Sequence, residues 1–197
     1  MNLYSLHTNK EELYNYNKHL QIPKLAYKYL KKGKTSKMAI KAIATDAEYS
    51  YMYAVDTLQG QFKAGEKGIA TSAEYSYWYA KEVLNDRFEA GEKVIASSAE
   101  YSYLYAEHVL KTRFELGEEI IATSAHCSYW YAENVIDGRF ESSEEQIATD
   151  AEYSLYYARD VLKGRFELGE KAMKEDKDIW RDYNEFIWLT HKQRGII

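Results

Sequence analysis

The sequence predicts an all-α fold: an α-solenoid of stacked helix–turn–helix repeats, with a helical cap at each end. The first observation behind this prediction is a period of 26 residues, marked by an isoleucine, then alanine, then threonine or serine. The marker isoleucines are Ile43, Ile69, Ile95, Ile121 and Ile147. No insertion interrupts the register, which indicates a tandem array. The five repeats span 45–70, 71–96, 97–122, 123–148 and 149–174.

The second observation is helical spacing at the start of each repeat. In repeat two, Ala73, Tyr77 and Ala80 are four and three residues apart, which places them on one helical stripe. The local Tyr-Ser-Tyr-x-Tyr alternation is typical of a strand, but the alanines and a Thr-x-x-Glu capping box favour a helix. This pattern assigns the N-caps to Thr45, Thr71, Ser97, Thr123 and Thr149. The first helices are therefore expected near 46–58, 72–84, 98–110, 124–136 and 150–162.

A shorter second helix is expected in each repeat, from Arg87 to Ala96 in repeat two. Its glycine, Gly91, costs an isolated helix ~1 kcal/mol, which predicts close approach to a neighbouring helix. A row of glutamates is expected to face solvent: Glu66, Glu92, Glu118, Glu144 and Glu170. The arginines expected to pair with nearby acids are Arg87, Arg113, Arg139 and Arg165.

The segments on both sides of the repeats are expected to close the array. Residues 1–44 form a basic N-terminal helical cap, residues 45–174 hold the repeats, and residues 175–197 form a C-terminal capping helix. In this last segment Tyr183 and Ile187 have helical spacing, four residues apart.

Composition narrows the class of protein. One cysteine, Cys127, excludes an internal disulfide and fits a reducing compartment. The N-terminal residues lack a basic and then apolar leader profile, and no apolar run approaches the ~20 residues that cross a bilayer. We therefore expect a cytoplasmic protein that does not enter the membrane.

Catalytic chemistry has no motif in this sequence. It contains no glycine-rich phosphate loop, no His-Glu-x-x-His and no Cys-x-x-Cys. His126 and Cys127 are adjacent, but neighbours on a helix point about 100° apart and no third metal ligand has a matching spacing. We expect no catalytic residue, no metal site and no cofactor.

Two surfaces are candidates for binding. The first is an apolar stripe, one large side chain per repeat in a polar setting: Met52, Trp78, Leu104, Trp130 and Tyr156. Each follows a residue of the expected core; these are Tyr51, Tyr77, Tyr103, Tyr129 and Leu155. The stripe has two interpretations, packing between repeats or anchoring a protein partner.

The second surface is a basic patch near the N-terminus. Residues 1–44 contain nine lysines and two glutamates, whereas residues 45–197 contain 17 Lys and Arg against 29 Asp and Glu. The patch consists of Lys24, Lys28, Lys31, Lys32, Lys34, Lys37 and Lys41. This asymmetry allows nucleic-acid binding by the patch, or nucleic-acid mimicry by the acidic repeats, as the alternative to a protein-binding scaffold. An oligomeric state does not follow from the sequence.

The repeat also resembles tyrosine-rich repeats of uncharacterised proteins from tailed phages and large viruses. The resemblance lies in the string A-E-Y-S-Y-x-Y-A-x-x-V-L-x-G-R-F-E-x-G-E, covers residues 45–174 and is closest at 151–166. The sequence departs from this pattern in repeat four, at His126-Cys127 and at Ser142-Ser143. The resemblance implies a viral origin and a solenoid but no activity. The partner that this resemblance implies is a host protein, which the chain would inhibit or redirect.

Overall fold

The computed structural model describes residues 18–194, and all regular structure in that range is helical. The chain forms two compact units, Met1–Ile95 and Ala96–Ile197. Within each unit the helices pack in consecutive pairs, and first helices of successive repeats contact one another. The predicted all-α repeat fold is confirmed.

The first unit has six helices in its described part. The N-terminal pair is α1 (Pro23–Lys31) and α2 (Lys37–Ile43). Repeat one has α3 (Ala47–Tyr53, then a π-helical turn Ala54–Leu58) and α4 (a 3₁₀ turn Lys63–Gly65, then Glu66–Ile69). Repeat two has α5 (Ala73–Trp78, then π-helical Tyr79–Leu84) and α6 (Glu89–Ile95).

The second unit has seven helices in its described part. Repeat three has α7 (Ala99–Tyr105, then π-helical Ala106–Leu110) and α8 (Glu115–Ile121). Repeat four has α9 (Ala125–Tyr131, then π-helical Ala132–Ile136) and α10 (3₁₀ Glu141–Ser143, then Glu144–Ile147). Repeat five has α11 (Ala151–Tyr156, then π-helical Tyr157–Val161) and α12 (3₁₀ Glu167–Gly169, then Glu170–Glu175). The last helix is α13 (Lys177–Gln193).

Each first helix begins one residue later than the capping box predicted. The N-caps are Asp46, Ser72, Ser98, Ser124 and Asp150. The preceding threonine instead bonds to the end of the helix before it: the Thr71 hydroxyl donates to the Gly68 carbonyl at 2.7 Å. The predicted threonine caps are therefore wrong. Repeat four has His126 in place of the capping-box glutamate and still keeps its N-cap, where Ser124 accepts from the Cys127 N–H at 3.3 Å.

Each first helix ends in a π-helical turn that the sequence pattern did not predict. In repeat four the Ala132 carbonyl accepts from the N–H of Asp137 and from that of Gly138. The residue that closes the turn has a left-handed conformation, with φ near +50° at Gln59, Asn85, Lys111, Asp137 and Lys163. This conformation costs a residue other than glycine ~1 kcal/mol or more. It recurs at the same position of all five repeats, where the first helix ends.

Small residues bring the helices of a repeat together. Ser76 is fully buried and its hydroxyl donates to the Ile69 carbonyl of the preceding repeat at 3.0 Å. A Cβ on Gly91 would lie 2.7 Å from the Ser76 Cβ, so only glycine fits this approach without a shift. The predicted close contact is confirmed. Repeat four has Ser143 in place of this glycine, and the Ser143 hydroxyl donates to the Phe140 carbonyl at 2.9 Å.

The helices at the two ends repeat contacts seen inside the array. The Tyr27 hydroxyl of α1 donates to Asp56 of repeat one, much as Tyr51 of repeat one donates to Glu82 of repeat two. At the other end, Tyr183 of α13 is buried against the last repeat. Both ends of the described chain therefore pack as partial repeats. The domain limits at residues 44 and 174 stay a prediction.

Candidate interaction surfaces

Within each unit, a tyrosine links one repeat or end helix to the repeat before it. Tyr131 of repeat four is fully buried, and its phenol oxygen accepts from the Phe114 N–H of repeat three at 2.9 Å. The same hydroxyl donates to Glu118 at 2.8 Å, and Arg113 holds this carboxylate through two N–H groups at 2.6 and 2.7 Å. We call this Tyr–Glu–Arg arrangement the clamp. Tyrosines in the same place with the same two contacts are Tyr79, Tyr157 and Tyr183.

The clamp corrects the prediction that the glutamate row faces solvent. Glu144 and Glu170 are each only 7% exposed, and their carboxylates are bound by arginine and tyrosine. Hydrogen bonding to Arg113 lowers the pKa of Glu118 below its usual value. The predicted pairing of the arginines is confirmed: each binds the glutamate five residues on, and Arg165 also pairs with the nearer Glu167 at 3.7 Å.

A second row of tyrosines also joins successive repeats. Tyr77, Tyr103 and Tyr129 are buried, as predicted for the core, and Leu155 replaces tyrosine at the same position; Tyr51 is partly exposed. The Tyr129 hydroxyl donates to Asp160 of the next repeat at 3.0 Å. Burial raises the pKa of Tyr129, and the neighbouring carboxylates raise it further.

The apolar stripe is partly exposed in every repeat. All five of its members, Met52, Trp78, Leu104, Trp130 and Tyr156, have this intermediate exposure. Each tryptophan lies against the tyrosine before it, with a centroid distance of 4.9 Å for Tyr77–Trp78 and for Tyr129–Trp130. The rings thus pack on their own helix and still reach solvent. This placement agrees with both interpretations of the stripe, so its binding role stays a prediction.

Cations lie over two rings of the stripe. The Lys81 Nζ is 5.2 Å from the Trp78 centroid, and the Arg159 guanidinium is 5.1 Å from the Tyr156 centroid. Both cations come from the residue three positions after the ring, one helical turn on. The three-residue spacing is visible in the sequence, but the contact between cation and ring appears only in the structure.

The basic patch lies on α1, α2 and the turn between them. All seven of its lysines are exposed. Lys31 pairs with Asp56 at 2.8 Å, and Lys34 lies over the Tyr29 ring at 5.3 Å. Within residues 18–194 the other five form no ion pair: Lys24, Lys28, Lys32, Lys37 and Lys41. Residues 18–44 contain no Asp or Glu, so the positive charge of this surface has little local compensation.

Two open clefts border α2, and both are lined in part by Lys37 and Lys41. The first, about 540 Å³, also includes Met38 and Ala42. The second, about 500 Å³, also includes Ile40. Their walls thus combine short apolar side chains with two ammonium groups. They belong to the same surface as the basic patch.

His126 and Cys127 lie together but in different environments. His126 is exposed and its ring contacts Tyr153 edge-on, whereas Cys127 is buried. Burial raises the pKa of the Cys127 thiol, which disfavours the reactive thiolate. In the part of the chain that the structure describes, no three His, Cys, Asp or Glu side chains are grouped to hold a metal ion. No helix in that part is both long and apolar enough to span a bilayer.

Together these features define an all-α tandem-repeat protein whose repeats are joined by buried tyrosines. Searches against protein families, curated proteins and solved structures find no match to this chain.

Proposed function

We propose that this chain is a non-enzymatic scaffold that binds a protein partner through the apolar stripe. The observation that carries the proposal is the partial exposure of one large side chain per repeat, each followed directly by a buried residue. In repeat four Trp130 reaches solvent, while Tyr129 and Tyr131 are buried. Large aromatic side chains that pack on one side and reach solvent on the other are common anchors of protein interfaces.

The regularity of the surface supports binding over catalysis. The recurring carboxylates of repeats two to five are each held by an arginine, and Gln61 takes the place of the arginine in repeat one. An active site generally needs one distinctive pocket, whereas a repeat array offers an extended surface. The resemblance of the repeats to phage proteins favours a host protein as the partner, in the host cytoplasm.

The test replaces Trp78 and Trp130 by a photo-cross-linking phenylalanine analogue in the full chain, and identifies the protein captured from host lysate. The affinity of that purified partner is then measured for Trp78→Ala and Trp130→Ala. Each should weaken binding by roughly tenfold or more, with little change in thermal stability. Trp188→Ala is the control, because Trp188 is 51% exposed but lies on α13 outside the stripe.

Stability decides between the two interpretations of the stripe. If the melting temperature falls in step with affinity, the tryptophans are packing residues and the proposal is wrong. Trp130→Leu adds a second check, because repeat three already carries Leu104 at this position. This variant should retain the fold and still lose affinity.

Nucleic-acid binding by the basic patch is the second candidate. Five lysines without ion pairs on α1, α2 and the turn between them favour nucleic-acid binding, whereas the clamped glutamates argue against mimicry by that row. Binding to a short DNA duplex should then weaken steeply with salt, with a logarithmic slope of ~0.9 per phosphate contacted. Lys37→Gln with Lys41→Gln should reduce that slope, and an unchanged slope would exclude α2 from the contact.

A further inference from the structure

The residue three positions after the apolar stripe differs in charge between repeats. In repeat two it is Lys81, whose ammonium lies 5.2 Å from the Trp78 ring and 5.4 Å from the Tyr77 ring. In repeat five it is Arg159, over Tyr156. A cation near the face of an aromatic ring is attracted by the negative charge of the π system. In these two repeats the ring therefore has a cation from its own helix.

Repeat four has the tryptophan without the cation. The residue three positions after Trp130 is Glu133. Among residues 18–194, no lysine or arginine lies over the Trp130 ring. Glu133 Oε2 is covered from solvent and has no hydrogen-bond partner in this range, although buried polar atoms nearly always have one. An aromatic ring and a carboxylate thus lie one turn apart, and both lack a cationic neighbour.

Polar groups that could pair with Glu133 from within the chain are already engaged. The Tyr129 hydroxyl lies beside Glu133, but it donates its proton to Asp160 at 3.0 Å. The Arg159 guanidinium donates twice to Asp160 at 2.8 Å. The Asn134 amide donates to Glu107 at 2.8 Å and to the Tyr103 hydroxyl at 3.2 Å. None of these three groups is available to Glu133 without loss of the hydrogen bond that it already makes. A cation that pairs with this carboxylate would therefore come from another molecule.

We propose that Trp130 and Glu133 bind a guanidinium or ammonium group, supplied by an arginine or lysine in a basic segment of the partner protein. The inference rests on the proposed function above and specifies the chemistry of the partner. The cation takes the place over Trp130 that Lys81 takes over Trp78, and a small rotation of the Glu133 carboxyl group brings its oxygens to the donor. The excess of 29 acidic over 17 basic residues in 45–197 attracts such a segment.

The test uses the full chain and a fluorescein-labelled arginine decapeptide, with a glutamine decapeptide as the neutral probe. Binding is followed by fluorescence anisotropy at 0.15 M salt. Glu133→Lys gives repeat four the lysine that repeat two has, so an internal cation occupies the ring and peptide affinity should fall about tenfold. Glu107→Lys is the matched control: the same charge change at the same position of repeat three, where the stripe residue is Leu104. It should change affinity about twofold or less.

The reverse substitution, in repeat two, tests whether a second peptide-binding site can be created. Lys81→Glu gives repeat two the Trp–Glu pair of repeat four, and titration calorimetry should then detect a second bound peptide. Trp130→Leu removes the ring but keeps the side chain that repeat three tolerates, and it should weaken peptide binding about tenfold. Circular dichroism checks that each variant is folded. If Glu133→Lys unfolds the chain, Glu133→Gln replaces it and should also lower affinity.

Two results would overturn the inference. Equal losses for Glu133→Lys and Glu107→Lys would show general charge attraction, and unchanged binding by Trp130→Leu would exclude the ring. The purified partner separates this inference from the proposed function. If its binding needs Trp78 and Trp130 but tolerates Glu133→Lys, the stripe is the interface and the cation site is wrong. If neither tryptophan matters to the partner, the proposed function itself is wrong.

Discussion

Removal of one hydroxyl group should weaken the contact between repeats three and four. Tyr131→Phe keeps the ring, which packs against Phe140 with centroids 5.2 Å apart. It deletes the oxygen that accepts from the Phe114 N–H and donates to Glu118. Phe114 is 4% exposed and water has little access to its N–H, so this donor would lose its partner.

The expected loss of stability comes mainly from that donor. A buried group left without its hydrogen bond costs ~1–3 kcal/mol. Glu118 loses one donor but keeps both bonds from Arg113, so its share is smaller. We expect the free energy of unfolding to fall by about 2–4 kcal/mol. With a urea dependence of ~2–3 kcal/mol per molar, the midpoint of unfolding should move down by about 1 M.

The assay is urea unfolding followed by circular dichroism, with the slope of the transition checked for each variant. Tyr153→Phe is the control, because Tyr153 is partly exposed and its hydroxyl makes no hydrogen bond with residues 18–194. It should change the unfolding free energy by less than about 0.5 kcal/mol. A Tyr131→Phe midpoint equal to that of the control would show that the clamp adds nothing to stability.

Two further predictions concern the same core. Ala106 is fully buried where the first helices meet, so Ala106→Leu should lower the free energy of unfolding in urea by about 1–3 kcal/mol. Ala90→Leu is the control and should change it little, because this position is exposed and holds Leu116 and Leu168 in other repeats. An unchanged midpoint for Ala106→Leu would contradict the burial. Hydrogen bonding to Arg113 lowers the pKa of Glu118 in the folded state. The ionised carboxylate therefore stabilises the fold fully above the unfolded-state pKa of ~4.3. This contribution is lost as the pH falls through the lower pKa of the folded state. Unfolding measured from pH 6 to pH 2 should therefore show a smaller acid loss in Glu118→Gln than in the wild type, and equal losses would contradict this role.

Several features could be predicted from the sequence because they depend on residues close together in the chain. The first helices lie within about a residue of the predicted ranges, at their starts and at their ends. The buried alanines and the close approach at Gly91 also follow from a period that repeats without insertion. Among these local features the capping assignment failed, because threonine and the next residue can both cap a helix, and the pattern does not distinguish them.

The tertiary structure decided which polar groups are buried and what they bind. Tyr131 meets Phe114 17 residues earlier, and Tyr129 meets Asp160 31 residues later. Such contacts depend on the offset between neighbouring repeats, and the period alone does not determine that offset. For the same reason the glutamate row, expected on the surface, lies in the clamp, and the first helices end in π-helical turns. The charge difference between Lys81 and Glu133 is visible in the sequence. Only the packing shows that the Lys81 ammonium covers Trp78 and that one oxygen of the Glu133 carboxylate has no partner.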